Sequence, residues 1–390
     1  MSGAAFQPLQ GVRVLEFGQI VTAPFCALLL ADFGADVVKV ESPDGGDGMR
    51  QWPPMMAAHE GGEAFSANFA SLNRNKRSLA ADLKDAAQVA RLKQLCATAD
   101  IVLENFRPGV MDRLGLGYAA LRALNAKLVY ASLTGYGQNG PYAKKGAFDV
   151  TVQAISGVMS VTGEEDGPPV KCGVPVADFT AGLYAAYSAL AAYGLAQRTG
   201  QGTHIDCSML GCMLGVSALQ TSEYFGTGRA PRRLGSAHPR NAPYQGFLGS
   251  DKPFAIAAGN DKLWGEVCDA VGMPDLRTDA RFVTQALRAR NQRELAALLQ
   301  PRFSQRSAGD WLAEFDRRGV PCAPINDFAE ILADLHVTDM GIVHEIELAN
   351  GVQTPTLVFP VRMTGYSFST GPRPPTLGEH TEEVFQQWLG

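Results

Sequence analysis

Short, dense apolar runs alternate along the chain with longer segments in which polar residues recur. Residues 12–17, Val-Arg-Val-Leu-Glu-Phe, read as a short buried strand closed by Gly18. From Pro24 to Phe33 most positions are apolar, which predicts a helix covered on more than one side. Gly34-Ala-Asp36 breaks that helix, and residues 37–41, Val-Val-Lys-Val-Glu, read as the next strand. Strand, helix and strand in about thirty residues make a βαβ unit, which implies a parallel sheet. The pattern recurs as an amphipathic helix at 86–97, a strand at 101–103, a helix at 118–124 and a strand at 128–131. The N-terminal third is expected to be an open α/β sheet.

The middle of the chain changes character. Residues 147–160 and 178–196 read as helices, 203–206 as a short strand and 209–219 as another apolar helix. A basic, turn-rich linker follows at 226–243, carrying Arg229, Arg232, Arg233 and Arg240. Beyond it, a strand at 254–257 and helices at 261–271, 288–299 and 308–318 predict a smaller α+β unit. The tail from 328 to 390 is proline-rich with weak strands, as at 356–359. No internal repeat or low-complexity tract is visible.

Composition narrows the class. The chain has 390 residues, 46% of them hydrophobic, which suits two domains or one elaborated α/β domain. Its formal net charge of -5 gives no basic surface for nucleic acid. Seven cysteines without a CxxC pair suggest neither a disulfide framework nor a thiolate metal site. Residues 1–10 lack a basic segment followed by an apolar one, so no signal peptide is read there. The uncharged apolar stretch 181–196 falls short of the ~20 residues that span a bilayer, and its alanines suit a buried helix. A cytoplasmic protein with reduced thiols, and no membrane partner, is the expectation.

The candidate chemistry is sparse. Gly135-Tyr-Gly137-Gln-Asn-Gly140 matches GxGxxG, but Pro141 follows at once and Lys144-Lys145 interrupt the helix that a dinucleotide site needs. It reads instead as a turn that brings backbone close to a ligand. The six histidines, His59, His204, His238, His336, His344 and His380, have no metal-ligand spacing, and no metal is expected. His204 sits in a strand and reads as structural. His238 lies in a loop where it could touch substrate. Arg50, the run Arg74-Asn-Lys76-Arg77, Arg107 and Arg113 fall after strands or at helix starts. Those positions border the ligand crevice of an open α/β sheet, where cations suit a polyphosphate, although a solvated basic surface explains them equally well. Asp178, in Gly173-Val-Pro-Val-Ala-Asp178, stands where an extended run meets a long apolar helix. It reads as an N-cap, and a helix N-terminus would also hold its carboxylate ionised and fixed, as a nucleophile requires.

Several ordered motifs then form one pattern. The run Val14-Leu-Glu-Phe-Gly…Ala23-Pro-Phe-Cys…Leu30-Ala-Asp-Phe-Gly-Ala-Asp-Val-Val-Lys-Val-Glu41…Gly46-Asp47…Arg50 is followed by Leu72-Asn-Arg-Asn-Lys-Arg-Ser78 and Glu104-Asn-Phe-Arg-Pro-Gly109. Leu114-Gly-Leu-Gly-Tyr118, Ala131-Ser-Leu-Thr-Gly-Tyr-Gly137 and Gly200-Gln-Gly-Thr-His-Ile-Asp206 come next. Together they resemble the class III coenzyme A transferases (CaiB/BaiF type), relatives of formyl-CoA transferase and α-methylacyl-CoA racemase.

The resemblance implies a Rossmann-like large domain made from both chain ends, residues 1–224 and 326–390. A smaller α+β domain at 225–325 would be inserted between them, and two chains would form an interlocked homodimer. It implies Asp178 as covalent nucleophile, with coenzyme A and acyl-CoA as substrates and no tightly bound cofactor. By motif, the CoA contacts would be Val21, Thr22, Ser42, Leu72, Asn73, Arg74, Asn75, Asn105, Phe106, Arg107, Arg113, Thr134, Gly135 and Tyr136. Ser42 and the region of Thr134 depart from formyl-CoA transferase, which carries an arginine where Ser42 stands and a lysine near Thr134, so other cations are expected to meet the phosphates. The racemase branch shares the aspartate but uses a histidine directly before a second aspartate. Here Phe148 precedes Asp149 and cannot carry a proton.

The stretch from Arg233 to Phe247 is similar to the succinyl-CoA:glutarate type of transferase. It suggests succinyl-CoA as donor, a dicarboxylate such as glutarate or itaconate as acceptor, and Arg233, His238 or Arg240 on the distal carboxylate. A CoA-binding protein without catalysis is the non-enzymatic alternative, and retention of Asp178 argues against it.

Overall fold

A computed structural model describes residues 7–57, 62–366 and 371–390; His59 and residues 1–6 lie outside them. The chain forms two compact units. One comprises Met1–Val158, Cys172–Thr227 and Thr338–Gly390, and the other Met159–Lys171 and Gly228–Val337. The family resemblance implies a smaller domain at 225–325, whereas the second unit runs on to Val337. The second unit also takes in Met159–Lys171, which is held by Gly235 N–H on the Gly163 carbonyl and by an Arg232–Glu165 ion pair of 3.1 Å.

The first unit is built on a six-stranded sheet ordered Lys76–Ala80, Asp36–Glu41, Arg13–Phe17, Ile101–Glu104, Val129–Thr134, Thr203–Ser208. Every neighbouring pair is parallel. The chain starts near the middle, builds outward through two strands, then crosses to the other side. The reversal lies between Arg13–Phe17 and Ile101–Glu104, and loops leaving those carboxyl ends diverge to open a crevice. Alternate side chains feed two apolar layers. Val14, Val37, Ile101 and Leu103 pack with the helices Thr22–Asp32 and Val176–Thr199. Leu15, Val38, Leu79 and Val102 pack on the other face with Ala86–Thr98 and the C-terminal helix Thr381–Leu389. That last helix replaces part of the tail read as loose and strand-like. Val384, Phe385 and Trp388 are its buried stripe.

Three other expectations are corrected. The basic run after Arg74 does not stand beyond a strand, because Lys76–Ala80 is itself the edge strand. Its pattern is illegible in sequence because the inward residues are polar: Lys76 meets Glu16 at 2.8 Å and the Ser78 hydroxyl donates to Glu41 at 2.7 Å. Residues 147–160 are not one helix, since Asp149–Ile155 ends at Ser156 and Gly157 takes a left-handed φ of +87°. The apolar helix Val176–Thr199 is not buried all round. Ala177, Ala181, Ala185, Ala189 and Gly182 face inward, whereas Leu183 is 53% and Tyr187 72% exposed. Gly182 allows the close crossing of Thr22–Asp32, because a Cβ there would meet the Thr22 carbonyl at 2.9 Å. No helix among the described residues is long and apolar enough to cross a membrane.

The second unit pairs a three-stranded antiparallel sheet, ordered Cys322–Pro324, Pro253–Ala257, Tyr244–Leu248, with helices. Phe254, Phe303, Trp311 and Phe315 form its aromatic centre. The helix expected at 288–299 is two, Gln285–Arg290 and Gln292–Phe303, hinged at Asn291.

Candidate active site

The site begins with a charge buried under the first βα loop. Glu16 is fully buried, and its two oxygens each meet a buried ammonium at 2.8 Å, Lys39 on one and Lys76 on the other. Lys39 also reaches Asp47 at 2.9 Å and the Gly18 carbonyl at 2.8 Å. Burial works against the Lys39 charge, but Glu16, Asp47 and Glu41 outweigh it and push its pKa up. Lys76 goes the other way, to about 8, because burial is helped by Lys39 and only Glu16 and Asp47 resist. Asp47 in turn accepts the Ile20 N–H at 3.1 Å, where the chain takes φ +67°, a left-handed conformation unusual for a β-branched residue. This network fixes the loop that delivers Val21 and Thr22.

Thr22 opens the first helix, and its hydroxyl donates to Asp178 Oδ1 at 2.5 Å. Asp178 is not the N-cap expected from sequence. The helix starts at Val176 behind Pro175, which places Asp178 third in the first turn. Nor is its carboxylate held strongly ionised. Burial pushes its pKa up to about 6, Thr22 opposes the shift and Asp149 adds to it. The helix-terminus effect of a few tenths to ~1 kcal/mol is too small to cancel that desolvation.

Asp178 lines a cleft of about 400 Å³ with residues from three loops at strand carboxyl ends. Val21 and Thr22 come from the first, Asn105, Phe106 and Arg107 from the second, Thr134 and Gly135 from the third. The first two loops flank the sheet's reversal point and are tied reciprocally. Asn105 Nδ2 donates to the Gln19 carbonyl at 2.8 Å and the Gln19 N–H donates to Asn105 Oδ1 at 3.0 Å. Behind them, Glu104 accepts the Phe106 N–H at 2.8 Å, and burial pushes its carboxyl up to about 7 against the pull of Ser132. Gly135 has no room for a side chain, since a Cβ would sit 2.1 Å from that of Ala147. Gly137 and Gly140 take φ of +89° and +95°, so the GxGxxG stretch is a turn.

The other expected contacts lie outside this lining. Leu72 and Asn73 are buried in the helix Ala67–Asn73, and Asn73 accepts from Lys76. Arg74 is buried in a two-pronged pair with Asp32, which also accepts from Asn75 at 2.8 Å. Ser42 and Arg113 lie away from the cleft wall, and Tyr136 meets the Tyr142 ring edge-on at 5.7 Å. Arg50 and Arg77 are likewise spent on Glu41 and Asp36. Arg107 and Lys145 are the cations in the cleft wall, and among the described residues no carboxylate pairs with either. Lys145 escapes a sequence reading because Lys144-Lys145 registers only as a break in a helix. Gln19, Met209 and the Glu16 network escape it too, since each acts through partners remote in sequence.

Arg233, His238 and Arg240 belong to the second unit. Arg233 donates to the Glu164 carbonyl at 3.3 Å. His238 Nδ1 accepts the N–H groups of Arg240 and Asn241 at 3.1 Å, and its ring stacks on Tyr244. Arg240 lines a shallow hollow with Gln285 and Arg290.

Comparison with known proteins agrees over nearly the whole chain. Residues 9–381 match the model of CoA-transferase family III. A succinate–glutarate CoA-transferase of Agrobacterium fabrum is 38% identical, covering 97% of this chain and 95% of its own length. An acetyl-CoA:oxalate CoA-transferase of Acetobacter aceti is also 38% identical, over 92% of this chain and 90% of its own. The crystal structure of a CAIB/BAIF family protein from Brucella suis aligns with a TM-score of 0.87 at 40% identity, covering 98% of this chain and 99% of that one. With its parallel sheet and this site, the chain belongs to CoA-transferase family III.

Proposed function

We propose that this enzyme transfers coenzyme A from succinyl-CoA to a dicarboxylate such as glutarate or itaconate, with Asp178 as covalent nucleophile. The broader activity, CoA transfer between an acyl-CoA and an acid, follows from family membership. The observation that carries the covalent reading is a half-buried carboxylate in a cleft, aligned by Thr22 and raised in basicity by burial. A carboxylate with a pKa of about 6 is ionised near neutrality yet more nucleophilic than an exposed one.

The chemistry proceeds in balanced steps. Asp178 Oδ2 attacks the thioester carbonyl, and the C–S bond breaks to release CoA thiolate and an aspartyl-acyl anhydride. The thiolate attacks the aspartyl carbonyl, whose oxygen is the Oδ1 that faces Thr22. The negative charge developing there meets a hydroxyl donor already in place. The donor acid departs as carboxylate, leaving an aspartyl-CoA thioester, and the acceptor acid runs the sequence in reverse. Arg107 and Lys145 suit the phosphates of the CoA moiety.

A homodimer, interlocked as the family resemblance implies, is part of the proposal. Leu183 and Tyr187 on Val176–Thr199, and Leu219 and Phe225 on Ala218–Thr227, leave apolar surface that a second chain would cover. The racemase reading is disfavoured because Phe148, not a proton carrier, lines the cleft. Relatives named for glutarate and for oxalate leave the acceptor to experiment.

The test is intact-protein mass spectrometry after mixing with succinyl-CoA and quenching with hydroxylamine or borohydride. An adduct on Asp178, absent from Asp178→Ala, supports the covalent route, and a panel of acceptor acids then ranks specificity. No adduct, with α-proton exchange into a branched acyl-CoA in deuterated water, would favour the racemase.

A further inference from the structure

Pro175 precedes the helix Val176–Thr199 and offers no side-chain acceptor, so the first-turn N–H groups lack a cap of their own. One finds a partner on another helix. Ala177 N–H, immediately before Asp178, donates to Asp149 Oδ1 at 2.9 Å. Asp149 Oδ2 accepts Gln153 Nε2 at 2.7 Å, and Gln153 Oε1 accepts the Cys172 N–H at 2.8 Å. Gln153 is fully buried and lies one turn beyond Asp149 on Asp149–Ile155. Two side chains of one short helix thus grip residues 172–177 at both ends.

We propose that Asp149, locked by Gln153, is a positioning residue that aims the Asp178 carboxylate and keeps a fixed negative charge behind it. This rests on the reading of Asp178 as the nucleophile. The charge has a chemical use. Asp178 is anionic before attack but neutral as anhydride or thioester. A neighbouring anion therefore raises the energy of the free carboxylate more than that of its covalent adducts, which favours the attack. The other groups of the cleft do not supply this. Thr22 donates from the first helix, Met209 is apolar, and Arg107 and Lys145 on the cleft loops are cations. Asp149 is the carboxylate whose charge opposes Asp178 ionisation.

The donor pattern supplies a specific test. In Asp149→Asn, Oδ1 still accepts from Ala177, but the new NH₂ confronts Gln153 Nε2, donor against donor. Adding Gln153→Glu restores every hydrogen bond, because the introduced carboxylate would accept both from the introduced amide and from the Cys172 N–H. The charge then sits one turn farther from Asp178. Single-turnover adduct formation from succinyl-CoA would be followed by mass spectrometry across pH, alongside KM and kcat.

The single variant is expected to slow adduct formation roughly 10- to 100-fold with little change in KM for acyl-CoA. The double variant should recover most of that rate at high pH, with its acid limb displaced to lower pH. A single variant that matches wild type in rate and pH profile overturns the proposal. So does a double variant no faster than the single one, or one whose acid limb does not move. Asp178→Ala is run in parallel. If it still forms the adduct, the nucleophile reading fails and takes this inference with it. If it is inert while the Asp149 variants behave as wild type, only the inference fails.

Discussion

The Thr22 hydroxyl donates to Asp178 Oδ1 over 2.5 Å, although 156 residues separate the two in sequence. The contact exists because Gly182 lets the helices Thr22–Asp32 and Val176–Thr199 cross closely enough for their first turns to meet. It is also the one interaction that lowers the Asp178 pKa against burial.

Thr22→Val keeps the shape and removes that donor. The Asp178 pKa should rise further, so the acid limb of the pH–rate profile moves to higher pH. Hydrogen bonds to charged groups are worth about 1.5–3 kcal/mol, which corresponds to roughly a 10- to 100-fold slower adduct step. Single-turnover rates across pH check this, and an acid limb moving downward would contradict the assignment.

Asp178→Asn should stabilise the folded chain at alkaline pH. The folded pKa is raised to about 6 from 3.8, so the ionised form is penalised in the fold. That penalty is fully present above the folded value and fades as pH falls toward the unfolded one. Denaturant melts should show a gain of up to about 2–3 kcal/mol near pH 8 and about none near pH 4.

Glu16→Gln should act in the opposite sense. It leaves Lys39 and Lys76 sharing a buried site without their common carboxylate. Removing one member of such a group costs about 3–5 kcal/mol, readable as a lower urea midpoint. A change below about 1 kcal/mol would mean that Asp47 and backbone carbonyls suffice for both lysines.

Arg107→Ala and Lys145→Ala should raise KM for acyl-CoA with little effect on kcat, since the proposal puts these cations on the phosphates of the CoA moiety and not on the reacting atoms. The wild-type KM should rise with ionic strength, and the double variant should lose most of that salt dependence. Unchanged KM in the double variant would place the phosphates elsewhere.

Tyr187→Glu should weaken self-association, because it puts a charge on the apolar face left open on Val176–Thr199. Sedimentation velocity compares it with wild type. A monomeric wild type at micromolar concentration would end the homodimer proposal.

Local periodicity is enough for the parallel sheet, because strands buried on both faces and the helices between them announce themselves by residue type within a few positions. Family motifs point to Asp178 and to the loops at Val21, Asn105 and Thr134. The Lys76–Ala80 strand stays hidden, since its inward lysine and serine make sense only against Glu16 and Glu41, which other strands supply.

Residue identity settles which groups can do chemistry: a carboxylate at 178, cations at 107 and 145, glycine where backbone must turn at 137. The state of those groups comes from the fold. Burial raises the Asp178 pKa, Thr22 donates to its carboxylate from a remote helix, Asp149 accepts the N–H of the residue before it, and ion pairing ties Arg74 to Asp32. The reason is physical. Residue type and short-range pattern are properties of neighbours in the chain, whereas desolvation and charge act through space on whatever the fold brings within a few ångströms.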